Sequence, residues 1–205
     1  MRAAARPGIR RSGTTGPVVI FSDDFIRADA NTLGTTPVGG GTWTPTGGTT
    51  FGIRSNAAVD VARSLSRSVL LTCPSGDGIV TCVLPTLTTG PNGGLGPTMR
   101  DDGSQNNYVQ LFAGSAGVGL YTAAAGLFAN PYVTATVPST PCTLELTVVG
   151  PPASAIITAK VNGTTVYSGT PVVVPAATIT THGMNIPDDI TQATNAKISH
   201  FDYKH

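Results

Sequence analysis

Hydrophobic and polar residues alternate in several short stretches of the chain, and this pattern predicts β-strands. Between Cys142 and Val149, two threonines and a glutamate alternate with leucines and a valine, which indicates a strand with one buried face. Short apolar runs bounded by Gly, Pro, Asn or Ser predict further strands. These further strands cover residues 18–21, 69–72, 79–84, 108–112 and 118–121, and a last alternating stretch covers residues 197–204.

The strongest local signal is a pair of strands joined by Asn162-Gly163. One predicted strand, Ile156–Val161, precedes this dipeptide, and residues 164–167 follow it. Asn-Gly suits a two-residue type I′ turn because both positions of that turn need positive φ. The tripeptide that ends at Thr164 also matches an N-glycosylation site. The hairpin interpretation is favoured because the chain shows no secretion signal.

The amino-acid composition indicates that the rest of the chain also forms strands and turns and not helices. Among 205 residues there are 25 Gly and 16 Pro, whereas Glu occurs only at position 145. Such scarcity of helix formers excludes a largely helical protein. About ten to thirteen short strands without an internal repeat predict one antiparallel β-sandwich or barrel. We assign residues 18–205 to this domain and residues 1–17 to an extended N-terminal arm.

Basic residues are concentrated in the arm, although the net charge of the chain is only +1. They are Arg2, Arg6, Arg10 and Arg11. No apolar segment follows them, so a signal peptide is not expected. The arm is interpreted either as a disordered terminus or as a segment that docks on a neighbouring subunit or an acidic surface. Nucleic acid is not an expected partner, because aromatics are missing there and the rest of the chain is mildly acidic. No apolar run reaches the ~18 residues of a membrane helix.

The cysteines leave two interpretations open. Cys73 and Cys82 flank a turn at residues 74–78, so they could face each other across a hairpin and form a disulfide. Three cysteines without a C-x-x-C pair argue against a disulfide framework and against a zinc site. Buried free thiols are therefore the favoured interpretation.

Catalytic chemistry is missing from the sequence. Glycoside hydrolysis needs two carboxylates, and the lone Glu145 lies on the polar face of a predicted strand. The three histidines have no zinc-binding spacing. No nucleophile elbow or phosphate loop is present. The sequence predicts a protein that is not an enzyme.

The segment after the first predicted strand resembles the opening of concanavalin A-like (laminin-G-like) jelly rolls. Residues 21–29 have the sequence FSDDFIRAD, and Leu33-Gly34 and a Gly-rich segment with Trp43 follow. Later landmarks agree with that family over residues 18–205: NNYV at 106–109, LEL at 144–146, VNGT at 161–164 and ISHFD at 198–202. The resemblance implies two packed, curved antiparallel sheets with the first and last strands side by side. It indicates fold better than function, because this sandwich hosts many activities.

A Thr- and Gly-rich domain opened by a short arm is similar to accessory virion proteins of tailed phages that infect actinobacteria. That resemblance implies a structural component, a minor tail protein or a capsid or tail decoration. The arm would anchor it to other virion proteins in a homo-oligomer or multi-copy assembly, formed in the host cytoplasm without a signal peptide. The alternative is a carbohydrate-binding module, alone or for adhesion to a host-surface glycan. A glycoside hydrolase with a non-standard site is a lesser alternative.

For the carbohydrate-binding alternative, the candidates are aromatic side chains with nearby Asp and Asn. They are Trp43, Tyr108, Tyr121, Tyr132, Asp101, Asp102, Asn106 and Asn107. Trp43 has a second and favoured interpretation as a core residue. No cofactor is required by the sequence. The jelly-roll resemblance leaves a calcium ion near Asp24 and Asp202 as an alternative to turn capping or pairing with Arg.

Overall fold

The computed structural model describes residues 16–47, 50–61, 67–87, 94–186 and 197–205. Within these ranges the chain forms fifteen strands, and its one helical element is a 3-10 turn at Pro152–Ser154. The strands are β1 Val19–Asp23, β2 Thr44–Pro45, β3 Phe51–Ile53, β4 Ala58–Asp60, β5 Arg67–Thr72, β6 Gly78–Leu84, β7 Gly96–Met99, β8 Tyr108–Gly114, β9 Gly117–Ala124, β10 Leu127–Thr134, β11 Cys142–Val149, β12 Ile156–Val161, β13 Thr164–Gly169, β14 Thr181–Ile186 and β15 His200–Lys204.

Two antiparallel sheets pack face to face. The six-stranded sheet has the order β1-β15-β6-β11-β12-β13, and the seven-stranded sheet has the order β10-β9-β8-β7-β14-β5-β2. A short β3-β4 ribbon stands beside them. The first and last strands pair directly, with Asp23 opposite Phe201. The predicted all-β sandwich and its neighbouring first and last strands are therefore confirmed.

The core lies between the sheets and follows the two-residue period of the strands. In β11, Leu144, Leu146 and Val148 are fully buried, and the residues between them are partly exposed. From the seven-stranded sheet, Leu111 and Leu120 enter the same core. No helix in the described part of the chain has the length and apolar character to cross a membrane.

The hairpin at Asn162-Gly163 is confirmed. Strands β12 and β13 pair on either side of it, with Val161 opposite Thr164. Asn162 has φ 50° and Gly163 has φ 79°, as a type I′ turn requires. The Asn162 side chain also accepts a hydrogen bond from the backbone N–H of Thr143 at 2.8 Å. This contact fixes the turn against the start of β11.

The hairpin expected between Cys73 and Cys82 is wrong. Strand β5, which ends just before Cys73, belongs to the seven-stranded sheet, whereas β6 belongs to the six-stranded sheet. The connection crosses from one sheet to the other and is held by the buried Arg100 guanidinium, which donates to the Gly76 carbonyl at 3.0 Å and to Asp77 at 2.7 Å. All three cysteines are free and buried. Burial raises the pKa of the Cys73 thiol to about 12.

The Asp-Asp-Phe-x-Arg segment supports the fold. Asp23 is 1% exposed and accepts two hydrogen bonds from Arg27, at 2.6 and 3.0 Å. It also accepts from the Trp43 indole N–H at 3.0 Å and from the Phe25 backbone N–H at 2.9 Å. One buried carboxylate thus joins the end of β1 to the Gly-rich segment. Four hydrogen bonds satisfy it as a buried charge requires.

Candidate functional site

Trp43 lies in the core, which decides between its two interpretations. Its side chain is 5% exposed. The indole packs edge-on against Phe201, with ring centroids 4.8 Å apart, and donates to Asp23. Its faces are therefore not available to a ligand, and Trp43 is removed from the candidate sugar-binding residues.

The outer face of the seven-stranded sheet carries a row of aromatic side chains outside the core. In β8, Val109 and Leu111 point inward and are fully buried, so the alternate residues Tyr108, Gln110 and Phe112 lie on the outer face. The register extends this face across the neighbouring strands. Tyr121 lies opposite Gln110, and Phe128 and Tyr108 both lie opposite Ala123. We call Tyr108, Phe112, Tyr121 and Phe128 the aromatic stripe.

The rings of the stripe form two pairs. Phe112 and Tyr121 are stacked, with centroids 4.9 Å apart and planes inclined by 5°. Tyr108 and Phe128 are tilted by 52°, with centroids 6.5 Å apart. The stripe therefore runs obliquely from β8 across β9 to the edge strand β10.

Two glycines let the Phe112 ring lie against the sheet. A Cβ atom at Gly119 would come within 2.4 Å of the Phe112 ring, and one at Gly94 within 1.9 Å. Any larger residue at either position would push the ring away from its stacked neighbour. The flat position of Phe112 is therefore specified by the sequence around it.

Asp101 lies beneath the loop that borders the stripe. It is 4% exposed, and its carboxylate accepts hydrogen bonds from the Ser68 hydroxyl, the Thr98 hydroxyl at 3.0 Å and the Gly103 backbone N–H at 2.8 Å. Burial raises the pKa of Asp101, and these hydrogen bonds oppose the increase. Asp101 fixes the loop at residues 101–107, and its oxygens are occupied by protein donors.

The loop forms a polar rim at one end of the stripe. The exposed Asp102 accepts from the Asn107 amide at 2.7 Å and from the Ser104 backbone N–H at 2.9 Å. Partial burial acts to raise the pKa of Asp102, but these hydrogen bonds outweigh it and lower the pKa. Asn107 also accepts from the Ala125 backbone N–H at 3.0 Å, which ties the rim to the β9-β10 turn. Asn106 is exposed on this rim.

Tyr108 is the link between rim and stripe. Its phenol is half-buried, and burial, together with the nearby Asp101 and Tyr121, raises its pKa. The hydroxyl therefore stays protonated at neutral pH and can donate a hydrogen bond. Tyr132 packs against the core from β10 and does not join the stripe.

Sequence reasoning named Asp102, Asn106, Asn107 and Tyr108 as candidates without placing them relative to one another, and the structure brings them to one end of one face. It missed three residues of that face: Gln110, Phe112 and Phe128. The signal for two of them was present in the alternation of residues 108–112, which places Tyr108, Gln110 and Phe112 on one side. Phe128 was missed because β10 was not predicted.

The residues proposed for calcium have protein partners. Asp24 accepts from the Ile26 backbone N–H at 3.0 Å. Asp202 pairs with His200 at 3.1 Å and Lys204 at 3.8 Å. Among the residues described, no three His, Cys, Asp or Glu side chains group to hold a metal ion. The calcium ion stays a prediction. The four arginines of the arm lie outside the described residues.

No protein-family model and no curated protein matches the chain. Three solved structures are similar to it in fold. A protein of unknown function from Shewanella oneidensis MR-1 has a TM-score of 0.59 at 15% identity, over 98% of this chain and 96% of that one. Domain 4 of the extracellular arabinanase AbnA from Geobacillus stearothermophilus, solved with arabinotriose, has a TM-score of 0.53 at 16% identity, over 92% and 93%. The carbohydrate binding module CBM66 from Bacillus subtilis has a TM-score of 0.52 at 13% identity, over 80% and 92%.

At these identities the likeness establishes the jelly-roll β-sandwich and no more. Two of the three structures are carbohydrate-binding or sugar-complexed domains by name.

Proposed function

We propose that this chain is a non-catalytic carbohydrate-binding module that holds a saccharide on the aromatic stripe. The supporting observation is that four aromatic side chains lie together on one sheet face, outside the core. Globular domains rarely leave such a group of rings on the surface without a ligand or partner. Similar domains that carry carbohydrate-related names support the proposal.

The face offers what a sugar ring needs. The apolar C–H face of a saccharide packs on an aromatic ring, and its hydroxyls need donors and acceptors beside that ring. Gln110 lies beside the stripe opposite Tyr121, and the Tyr108 hydroxyl and Asn106 stand at the rim. A mostly apolar floor with a few polar groups at its border is typical of small-ligand sites.

The arrangement of carboxylates favours binding without hydrolysis. Two available carboxyl groups must flank a glycosidic bond to cleave it. Asp101 is buried with its oxygens occupied, which leaves Asp102 as the accessible acid beside the stripe among the residues that the structure describes. Glu145 lies on the other sheet and pairs with Lys160 at 2.7 Å. The lesser alternative of a glycoside hydrolase finds no support in this geometry.

The virion role stays a prediction that the described residues do not address. Its anchoring element is the arm, of which residues 1–15, with all four arginines, lie outside the described residues. A carbohydrate-binding domain displayed on a virion would satisfy both the virion hypothesis and the carbohydrate-binding hypothesis. The aromatic stripe supports only the carbohydrate-binding hypothesis.

The test is a glycan microarray followed by affinity electrophoresis of the full chain and of two variants. Phe112→Ala removes one ring of the stacked pair, whereas Val172→Ala removes an apolar side chain that is 98% exposed elsewhere. We expect glycan binding by the wild type and by Val172→Ala, and its loss in Phe112→Ala. Absence of binding to every glycan, or equal binding by Phe112→Ala, would refute the proposal.

A further inference from the structure

The stripe is longer than one sugar ring, and among the residues that the structure describes the side chains on its strands and rim carry no positive charge. Its two ring pairs are anchored on β8 by Tyr108 and Phe112, which are four residues apart on the same face. At about 3.4 Å per residue, their backbones are about 14 Å apart. Tyr121 lies between them on β9, opposite Gln110, so the stripe continues from one pair to the other.

One sugar ring can cover one aromatic face, so a monosaccharide would leave half of the stripe exposed. A chain of linked sugars can place successive rings on the Phe112–Tyr121 pair and on the Tyr108–Phe128 pair. The stripe also reaches β10, the edge strand of the sheet, so no further strand of this sheet limits it on that side. This shape suits the interior of a saccharide chain.

The charged side chains near the stripe indicate which class of saccharide it can bind. Residues 101–159, which include β8, β9, β10 and the rim, contain no Lys, Arg or His. The nearby Arg100 is fully buried, and its guanidinium donates to Gly76, Asp77, Gly150 and Pro175 at the end of the sandwich. Within the described residues of these strands and the rim, the charged side chains are the carboxylates Asp101 and Asp102. Anionic glycans are normally held by Arg or Lys, so this face would repel them.

We infer that the aromatic stripe binds an uncharged saccharide chain of at least two sugar units at internal positions, and neither a monosaccharide nor an acidic glycan. This inference rests on the proposed function. It adds length and charge selectivity, which follow from the spacing of the ring pairs and from the missing cations.

The experiment measures affinity by isothermal titration with named probes. The neutral polymers are arabinan, xylan, galactomannan and mixed-linkage β-glucan, each with its monosaccharide and short oligosaccharides. The acidic polymers are polygalacturonate and carboxymethylcellulose. We expect at least one neutral polymer to bind, with affinity increasing about tenfold or more from monosaccharide to oligosaccharide, and no binding of the acidic polymers.

Variants test whether both ring pairs contribute. Tyr108→Ala and Phe112→Ala should each weaken oligosaccharide binding about tenfold, as expected for central aromatic contacts. Tyr108→Phe keeps the ring and should retain most of the affinity. Val172→Ala should match the wild type. Circular dichroism identifies any variant that fails to fold. In that case Phe128→Ala, which removes a ring that is 62% exposed, tests the contribution of the stripe and should also weaken binding.

The outcomes separate the two proposals. If no polymer binds, neutral or acidic, and the glycan microarray is also negative, the carbohydrate-binding function and this inference are both overturned. If a monosaccharide binds as tightly as the oligosaccharides, or an acidic polymer binds in a manner sensitive to Phe112→Ala, the function stands and the inference is overturned. Loss in Phe112→Ala with no effect of Tyr108→Ala would also overturn the two-pair inference alone.

Discussion

The buried imidazole of His182 predicts that the fold loses stability in mild acid. His182 is fully buried on β14, and its ring stacks on Tyr203 with centroids 5.1 Å apart. Its Nδ1 accepts a hydrogen bond from the Arg100 backbone N–H at 3.0 Å, and its Nε2 donates to the Ser75 carbonyl at 2.7 Å. The neutral ring thus uses both nitrogens. A second ring proton would point at a backbone N–H.

Burial lowers the pKa of His182 from 6.5 to about 4, and the nearby Arg100 acts in the same direction. Between pH 6.5 and about pH 4, the imidazole of His182 is therefore protonated in the unfolded chain but neutral in the folded chain. The free energy of unfolding decreases as pH falls through this window and levels off near pH 4. One pKa unit corresponds to about 1.4 kcal/mol, so the full loss is about 3 kcal/mol.

The assay is urea unfolding followed by fluorescence of the single tryptophan, at pH 7 and pH 4.5. The wild type should lose about 2 kcal/mol over this interval from His182. His182→Gln should be less stable at pH 7 but should lose much less on acidification. The raised pKa of Asp101 adds stability in acid, and because it acts in both proteins it cancels in the comparison. Equal losses in the two proteins would refute the reasoning.

Three further predictions concern the fold. Asp23→Asn should cost about 3 kcal/mol of unfolding free energy, because it removes the charge that pairs with Arg27 and replaces one of two buried acceptor oxygens by an NH2 donor facing other donors. The neighbouring exposed Asp24→Asn should cost little, and equal effects of the two changes would contradict this reasoning. Gly163→Val should destabilise by about 1 kcal/mol in urea unfolding, since φ there is 79°, and an unchanged midpoint would count against the turn assignment. The cysteines should react with a thiol reagent only after unfolding, and all three should then titrate; fewer than three would indicate a disulfide.

Most strands were predictable because a strand with one buried face has apolar and polar residues in alternation along its sequence. Strand β11 and the β12-β13 hairpin are examples, with alternation in the first and Asn-Gly in the second. The missed strands lack this signal. Strand β7 begins with Gly96-Pro97, and β10 contains Pro131 at an irregularity in its pairing with β9. Gly and Pro at these positions are typical of loops, so only pairing with neighbours makes them strands.

The candidate site was also predictable only in part from local sequence. Alternation in β8 placed Tyr108, Gln110 and Phe112 on one side, but it did not say whether that side faces the core or the solvent. That choice depends on which faces of the two sheets meet, and this is a property of the whole sandwich.

The sequence by itself determined that this is a β-sandwich, where its clearest hairpin lies, and that its single glutamate lies on the polar face of a strand. The tertiary structure alone decided that β5 and β6 belong to different sheets, that Trp43 is buried, and that four aromatic rings meet on one outer face. Local periods and turns depend on residues close in the chain, and the sequence displays them directly. The meeting of distant strands depends on the packing of two sheets against each other, which no single stretch of sequence encodes.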